Sequence, residues 1–348
     1  MVPSPSALLT ASQAPIARAV LSLPPAVVRR LAGAPVVREG RTLDPEMQLI
    51  LKLQAAAGKP AEELPLPHGR ASIVAGSVLV GGRQAVGRVV DRTVGGPAGG
   101  LRLRVYQPKG VVAPGPGLLF IHGGGWIYGD LASHDAVCRF LAERTGARVV
   151  AVDYRLAPEH PFPAAVDDSW AAWTWLAEHG HEVGIDVTRL AVGGDSAGGN
   201  LATVVAQRAV REGALVPAFQ LLVYPATDFA EVRPSRHAFG EGFFLTTAFI
   251  DLAKRHYTSS APDPRDWRLS PLHGNLEGLP PAHVVTAGFD PLVDEGRDYA
   301  DAMRAAGVTV TYRCEEGLIH SFANMVGIGR SGPAAMARAA EALRRALA

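Results

Sequence analysis

From about residue 84 onward, short apolar runs alternate with longer segments in which apolar residues recur every three to four positions. The short runs predict buried strands, and the longer segments predict amphipathic helices. Strands are predicted at residues 85–94, 101–107, 117–121, 148–154, 190–193, 219–224, 282–287 and 308–312. Helices are predicted at residues 132–144, 164–179, 198–211, 294–306 and 334–347. This alternation indicates an α/β protein with a mostly parallel sheet of about eight strands, covered by helices on both faces.

Two segments fall outside this alternation. Residues 1–80 carry apolar residues at helical spacing and a proline-rich polar connector, and Asp44 followed by Pro45 predicts a helix start. We expect two or three amphipathic helices that lie on a larger body, with a partly disordered extension as the alternative. Residues 226–272 separate two predicted strands by more than a short connection needs and are rich in aromatic residues. Insertions of this kind are typical of lids and substrate-binding elements.

Composition limits the classes of function. The net charge of the 348-residue chain is +1, so no basic excess exists to neutralise phosphates, and we expect no nucleic-acid partner. Two cysteines, Cys138 and Cys314, are too few for a disulfide framework or a four-cysteine zinc site, and His179 and His181 lack a carboxylate cluster. We therefore expect no metal and no cofactor. The chain has no 18-residue apolar run and no convincing export signal, which predicts a cytoplasmic protein without stable membrane insertion.

One candidate for covalent chemistry is a serine between glycines. Residues 194–198 read Gly-Asp-Ser-Ala-Gly, which fits the pattern G-x-S-x-G. The match follows a predicted strand and opens a predicted helix, the context of a nucleophile elbow that exposes the hydroxyl of Ser196. The alternative is a glycine-rich turn that binds nothing, or a phosphate, at a helix start.

A second glycine motif predicts an anion-stabilising loop. Residues 122–126 read His-Gly-Gly-Gly-Trp and follow the predicted strand 117–121. Successive glycines allow several backbone N–H groups to point at one place, as an oxyanion requires. The expected donors are the N–H groups of Gly124, Gly125 and Ala197. Gly123 and His122 are expected to shape the loop, whereas a merely flexible glycine loop is the alternative.

With further motifs, these residues resemble the hormone-sensitive-lipase family, the bacterial family IV esterases. Residues 153–159 read Asp-Tyr-Arg-Leu-Ala-Pro-Glu, residues 290–292 read Asp-Pro-Leu, residues 294–296 read Asp-Glu-Gly and residues 320–322 read His-Ser-Phe. The Gly-Asp-Ser-Ala-Gly elbow matches one subgroup of that family. The resemblance covers about residues 44–345. It implies the α/β-hydrolase fold with a helical cap, a small-molecule ester as substrate, and a homodimer as one expected assembly.

The order of residues along the chain selects an acid and a base. A triad on this fold runs serine, acid, histidine. Four histidines after Ser196 fall in the inserted region, at its border or at a strand start: His237, His256, His273 and His283. His320 instead lies in a loop between the last predicted strand and the last predicted helix. Asp290 follows a predicted strand, and Asp294 and Glu295 are its rivals as the acid, although Asp294 is expected to cap the next helix or to support that loop.

We therefore expect a serine carboxylesterase that hydrolyses short- to medium-chain acyl esters. Residues 81–225 and 273–348 would form its catalytic domain, and residues 1–80 and 226–272 would cap it. The expected pocket residues are Trp126, Asp195, Phe243, Phe244 and Leu245. An amidase or another acyl-transfer enzyme with the same triad is one alternative. A non-catalytic receptor on this fold, as in the plant gibberellin receptors that lack the histidine, is another, and His320 counts against it.

Overall fold

The computed structural model describes residues 18–56, 58–260 and 263–348, and in these parts of the chain eight strands form one central sheet. The strands are β1 (Arg88–Gly96), β2 (Gly99–Gln107), β3 (Gly115–Ile121), β4 (Arg148–Val152), β5 (Ile185–Asp195), β6 (Gln220–Val223), β7 (Ala282–Phe289) and β8 (Val310–Ile319). Their spatial order is β8-β7-β6-β5-β3-β4-β2-β1. The pairs from β8 to β4 are parallel, and β2 and β1 add antiparallel strands at one edge. The mostly parallel eight-stranded sheet expected from the sequence is confirmed.

Helices cover both faces of the sheet. They are α1 (Pro25–Ala32), α2 (Pro45–Ala56), α3 (Leu66–Gly81), α4 (Asp135–Thr145), α5 (Ala164–His179), α6 (Ala197–Glu212), α7 (Pro234–Phe239), α8 (Thr247–Tyr257), α9 (Val293–Ala305) and α10 (Ser331–Ala346). Along β3, Leu118 and Phe120 join one buried core, while Leu119 and Ile121 join the other. Burial on both faces explains why this strand is a continuous apolar run. Among the described residues, no helix combines the length and apolarity that crossing a membrane requires.

Several strands extend beyond their predicted bounds. Strand β5 begins at Ile185 rather than 190, and β8 ends at Ile319 rather than 312. Most of the added residues are partly exposed or charged, so they do not continue the apolar runs, although Ile185, Leu318 and Ile319 are buried. Glu315 on β8 pairs with Arg338 of α10, for example. The connection between the first two predicted strands is also shorter than residues 95–100, since β1 and β2 pair up to Gly96 and Gly99.

The N-terminal segment contacts β8, the strand at one edge of the sheet. The prediction for residues 1–17 lies outside the described residues. Helix α2 begins at Pro45 as predicted, with the N–H of Glu46 donating to Asp44 Oδ1 at 2.8 Å. The buried Glu46 carboxylate accepts the N–H groups of Arg330 and Ser331 at 2.6 and 2.9 Å, where α10 begins. This part of the segment is therefore fastened to the last helix.

Candidate active site

Ser196 occupies a strained turn between β5 and α6. Its backbone has φ 55° and ψ −119°, a conformation that residues other than glycine rarely adopt. A side chain on Gly198 would overlap the carbonyl of Ile121, so the tight passage into α6 requires glycine there. The turn places the hydroxyl at the carboxyl end of the sheet, at the start of a helix and on the wall of a cavity.

A histidine and an aspartate complete a hydrogen-bonded chain with this serine. His320 follows β8 directly, and its Nε2 lies 2.9 Å from Ser196 Oγ. Its Nδ1 lies 2.7 Å from Oδ2 of the buried Asp290, which follows β7 directly. The other oxygen of Asp290 accepts the N–H of Leu292 at 2.9 Å. Because an ionised carboxylate only accepts hydrogen bonds, it fixes the proton on Nδ1 and leaves Nε2 free to accept from the serine hydroxyl.

The two rival carboxylates have other partners. Asp294 Oδ2 accepts the N–H of Ser235 at 2.9 Å, which ties α9 to α7. Glu295 accepts the N–H of Thr227 at 2.7 Å. Asp290 is thus the carboxylate that contacts the His320 ring, in agreement with its position at the carboxyl end of a strand.

The glycine loop presents backbone donors beside Ser196. In the part of the chain that the structure describes, the N–H groups of Gly124, Gly125 and Ala197 have no protein acceptor. The N–H of Gly123 differs, because it donates to Asp195 Oδ1 at 2.9 Å. A Cβ on Gly123 would lie only 2.6 Å from the other Asp195 oxygen, so the close approach requires glycine. Three N–H groups thus have no acceptor in the described protein, and the fourth holds the loop.

His122 helps to hold the glycine loop through contacts with its neighbours. Its ring stacks on Tyr154 with centroids 4.2 Å apart, and its Nδ1 lies 2.8 Å from the carbonyl oxygen of Gly123. The Tyr154 hydroxyl donates to the His122 carbonyl at 2.9 Å. Burial, and then the neighbouring His134, lower the pKa of His122 to about 4. A neutral, fully packed ring suits a structural role in the loop rather than proton transfer.

A cavity of about 90 Å³ opens at Ser196, and we call it the serine cavity. Its wall combines apolar side chains with a charged rim. The apolar part includes Trp126, Ala226, Phe229, Leu245, Phe249 and Leu292. The charged rim includes Asp228, Glu231, Arg233, Arg236, Lys254 and Glu295. Two of the five expected pocket residues, Trp126 and Leu245, thus line the cavity.

The other three expected pocket residues lie elsewhere. Phe243 packs against Phe239 and Phe289, with centroids 5.9 and 5.1 Å apart, in the core between α7 and β7. Phe244 is partly buried against the same core. Asp195 lies beneath the glycine loop, where it is buried. The sequence does not reveal which aromatic residues of the insertion face the serine, because this depends on how the insertion folds back.

Helix α8 and residues 226–236 supply lining residues that the sequence did not indicate. In α8 these are four residues on one helix face: Phe249, Ile250, Ala253 and Lys254. Phe229, from the segment before α7, adds a ring that packs 5.1 Å from Trp126. The one-sided pattern along α8 is the signal that could have identified these residues.

The N-terminal segment reaches the site through supporting contacts. Glu62 Oε1 accepts the hydroxyl proton of Thr246, the N-cap of α8, at 2.6 Å. Arg70 Nε donates to the carbonyl of Ile127, directly after the glycine loop, at 2.9 Å. Among the described residues, none from 18–80 lines the serine cavity. The described part of the segment therefore contacts α8 and the end of the glycine loop without lining the cavity.

Glu295 is a buried acid on the wall of the serine cavity. Burial raises its pKa to about 8, although the hydrogen bond from the N–H of Thr227 lowers it. The nearby Asp228 and Asp290 raise it further. The carboxyl group is therefore mostly neutral at pH 7, and the cavity wall carries one negative charge fewer than its composition suggests.

As pH rises, the raised pKa of Glu295 should make the protein less stable, and replacing Glu295 by glutamine should remove this effect. The ordinary pKa of 4.5 is raised in the folded state, so between about pH 4.5 and 8 the folded protein keeps a proton that the unfolded chain releases. Stability from this group is complete below pH 4.5 and declines as pH rises to 8. We expect the Tm of Glu295→Gln, relative to wild type, to rise from pH 5 to pH 8 in thermal unfolding, whereas the exposed control Glu241→Gln shows no trend. A Tm difference that stays constant across this range would contradict the raised pKa.

Comparison with known proteins agrees with this geometry. A family model described as the alpha/beta hydrolase fold matches residues 118–324. The chain is 45% identical over 322 residues to the carboxylic ester hydrolase LipN of Mycobacterium tuberculosis, covering 90% of this chain and 85% of LipN. It is 36% identical to the ethyl acetate hydrolase of Pseudomonas putida, covering 88% of this chain and all of that protein.

Solved structures agree as well. An ester hydrolase from the metagenome of Lake Arreo, complexed with a bipyridine phosphonate derivative, superposes with a TM-score of 0.84 at 42% identity, covering 87% of this chain and 98% of that one. The hyperthermophilic esterase of Pyrobaculum calidifontis gives 0.83 at 36% identity, covering 88% and 99%. With these matches and the serine elbow, the glycine loop and the sheet order in place, the chain belongs to the hormone-sensitive-lipase branch of the α/β-hydrolase family.

Proposed function

We propose that the protein is a serine carboxylesterase that hydrolyses short- to medium-chain acyl esters. One observation carries this proposal: Asp290, His320 and Ser196 form a continuous hydrogen-bonded chain that ends beside three N–H groups with no protein acceptor. The names of the related proteins, carboxylic ester hydrolase and ethyl acetate hydrolase, support the same activity.

In the first half of the reaction, Ser196 Oγ attacks the ester carbonyl carbon while His320 Nε2 takes the hydroxyl proton. Asp290 keeps the imidazole in the required tautomer and stabilises the imidazolium. The carbonyl oxygen gains negative charge as the tetrahedral intermediate forms, and the donors for it are the N–H groups of Gly124, Gly125 and Ala197. When the carbon–oxygen bond to the alcohol breaks, His320 gives the proton to the leaving oxygen, and an acyl-enzyme remains.

In the second half, water replaces the alcohol. His320 Nε2 takes a proton from the water as its oxygen attacks the acyl carbon, and the same N–H groups hold the second oxyanion. The bond to Ser196 Oγ then breaks, and His320 returns the proton to the serine. The carboxylic acid leaves and the free enzyme is restored.

The serine cavity favours small ester groups. Its volume of about 90 Å³ is well below the ~300–1,000 Å³ of typical ligand pockets. Each methylene of an acyl chain gains about 0.8 kcal/mol only while the cavity has room to bury it. We therefore place the preference at the short end of roughly four to eight carbons. The cap formed by residues 1–80 and 226–272 stays a prediction, and it is supported by α8, which lines the cavity, and by Glu62, which contacts the N-cap of α8. The cytoplasmic location and the homodimer stay predictions.

Removing the serine or the histidine should abolish ester hydrolysis. We expect Ser196→Ala and His320→Ala each to lower kcat for p-nitrophenyl butyrate by about 10⁴-fold or more, with little further loss in the double variant, because the two groups act as a unit. His283→Gln is the control, since this buried histidine contacts Thr311 on the neighbouring strand, away from the site. Multiplicative losses in the double variant, or turnover within tenfold of wild type in either single variant, would contradict the assignment. A matched butyranilide in the same assay separates esterase from amidase.

Enlarging the cavity should shift the preferred chain length. Leu245 lines the serine cavity, whereas Phe243 lies two positions away in the core. We expect Leu245→Ala to raise kcat/KM for octanoate relative to butyrate esters by roughly fivefold or more, because about three methylenes gain space. Phe243→Leu should lower Tm and leave this ratio unchanged. If the two variants show the same octanoate-to-butyrate ratio of kcat/KM in a series of p-nitrophenyl esters, Leu245 does not limit the length of the acyl chain.

A further inference from the structure

A second buried histidine lies under the glycine loop. His134 precedes α4, and its side chain is 6% exposed. Its Nε2 lies 3.1 Å from Asp195 Oδ1, at ion-pair distance but not aligned for a linear hydrogen bond. The same Asp195 oxygen accepts the N–H of Gly123 at 2.9 Å. Asp195 is also the residue directly before Ser196, so one carboxylate joins the nucleophile elbow, the glycine loop and His134.

The Ser133 hydroxyl holds the other ring nitrogen of His134. This hydroxyl accepts the N–H of Asp130 at 2.9 Å and donates its single proton to the Asp130 carbonyl at 2.8 Å. His134 Nδ1 lies 2.9 Å from the hydroxyl, so Nδ1–H is the donor. Nε2 faces the carboxylate of Asp195. The buried ring therefore lies between Ser133 and Asp195, with one nitrogen directed at each.

The environment of Asp195 favours its ionised form. Burial opposes ionisation, but the neighbouring His134, the hydrogen bond from Gly123 and the nearby His122 together lower the pKa of Asp195 below its usual range. An ionised carboxylate is a stronger acceptor than a neutral one, so it holds the Gly123 N–H more firmly. A buried carboxylate that loses one of its polar partners is strongly destabilised, which makes the position of Asp195 depend on His134.

The segment that carries His134 also contacts the turn that follows the triad histidine. Asn324 Nδ2 donates to the carbonyl of Ser133 at 3.2 Å, and Asn324 lies in the short turn Phe322–Asn324 after His320. His134 is therefore linked to the glycine loop by way of Asp195. Ser133 is linked by way of Asn324 to the turn that follows His320. Neither residue lines the serine cavity.

We propose that His134 is a positioning residue that holds the oxyanion-stabilising loop in its productive geometry through Asp195. This inference rests on the proposed esterase function. Other hydrogen bonds hold carbonyl groups of this loop, those of His122, Gly124 and Trp126. Asp195 instead holds an N–H group, that of Gly123, which directly precedes the N–H groups of Gly124 and Gly125. We expect the bond at Gly123 to set the direction of these two neighbouring N–H groups. An oxyanion donor is worth about 10²–10³ in rate, and a displacement of about an ångström loses much of that.

The test compares His134→Gln with wild type on p-nitrophenyl butyrate, with rates normalised to active sites titrated by a p-nitrophenyl phosphonate. Loss of the imidazole should lower kcat by about 10- to 100-fold and leave KM within about threefold, because the loop acts on the transition state. The affinity for a trifluoromethyl ketone, which forms an oxyanion on Ser196, should fall by the same factor as kcat/KM. The affinity for an ether analogue of the substrate should not change.

Two further variants separate positioning from general damage. His283→Gln removes another buried histidine and should leave both kcat and ketone affinity unchanged. Asp195→Asn keeps the shape and an acceptor for Gly123 but removes the anion, so it should reproduce the His134→Gln loss. The double variant should lose little more. Asp195→Asn with its ketone measurement serves as the test if His134→Gln does not fold.

If the wild type is active and His134→Gln leaves ketone affinity and kcat/KM unchanged, this inference alone is overturned. The same holds for Asp195→Asn where that variant serves as the test. Equal losses of affinity for the ketone and for the ether analogue would also overturn it, because they would indicate a general distortion of the cavity. A wild-type protein that does not hydrolyse the ester would instead overturn the proposed function and this inference with it.

Discussion

The site depends on the positive φ that Ser196 adopts between β5 and α6. Such a conformation costs on the order of 1–3 kcal/mol, so surrounding contacts must hold it. The N–H of Ser196 donates to Val223 at the end of β6, and its carbonyl accepts the N–H groups of Asn200 and Ala226. These bonds fasten the turn to the neighbouring strand and to its own helix. Because the turn cannot relax, the hydroxyl stays at the carboxyl edge of the sheet.

The rest of the site converges on this fixed point. In a parallel sheet the carboxyl ends of the strands share one edge, and the residues that follow β3, β5, β7 and β8 are those of the glycine loop, Ser196, Asp290 and His320. The insertion after β6 folds over the same edge and supplies most of the cavity wall, through residues 226–236 and through α8. Residues distant in the chain therefore meet without any of them being placed by a long flexible segment.

Sequence reasoning succeeds where the chemistry is encoded locally. The glycines around Ser196 and in the loop at 122–126 mark positions where backbone atoms approach closely, and such positions show in the chain itself. Strand ends could be located because β3 and β7 are buried on both faces. The cavity wall could not be predicted, since Phe243 and Phe249 look equivalent until α8 is packed on the body. His134 carries no motif, and only its contact with Asp195 reveals it.

The most direct test of this account is a crystal structure of the protein inactivated by an alkyl p-nitrophenyl phosphonate, which leaves a tetrahedral anionic adduct on the nucleophile. We expect phosphorus bound to Ser196 Oγ, with the charged oxygen within about 3 Å of the N–H groups of Gly124, Gly125 and Ala197. We also expect the alkyl chain to lie along α8. An adduct on another residue, or a charged oxygen that points away from the glycine loop, would contradict it.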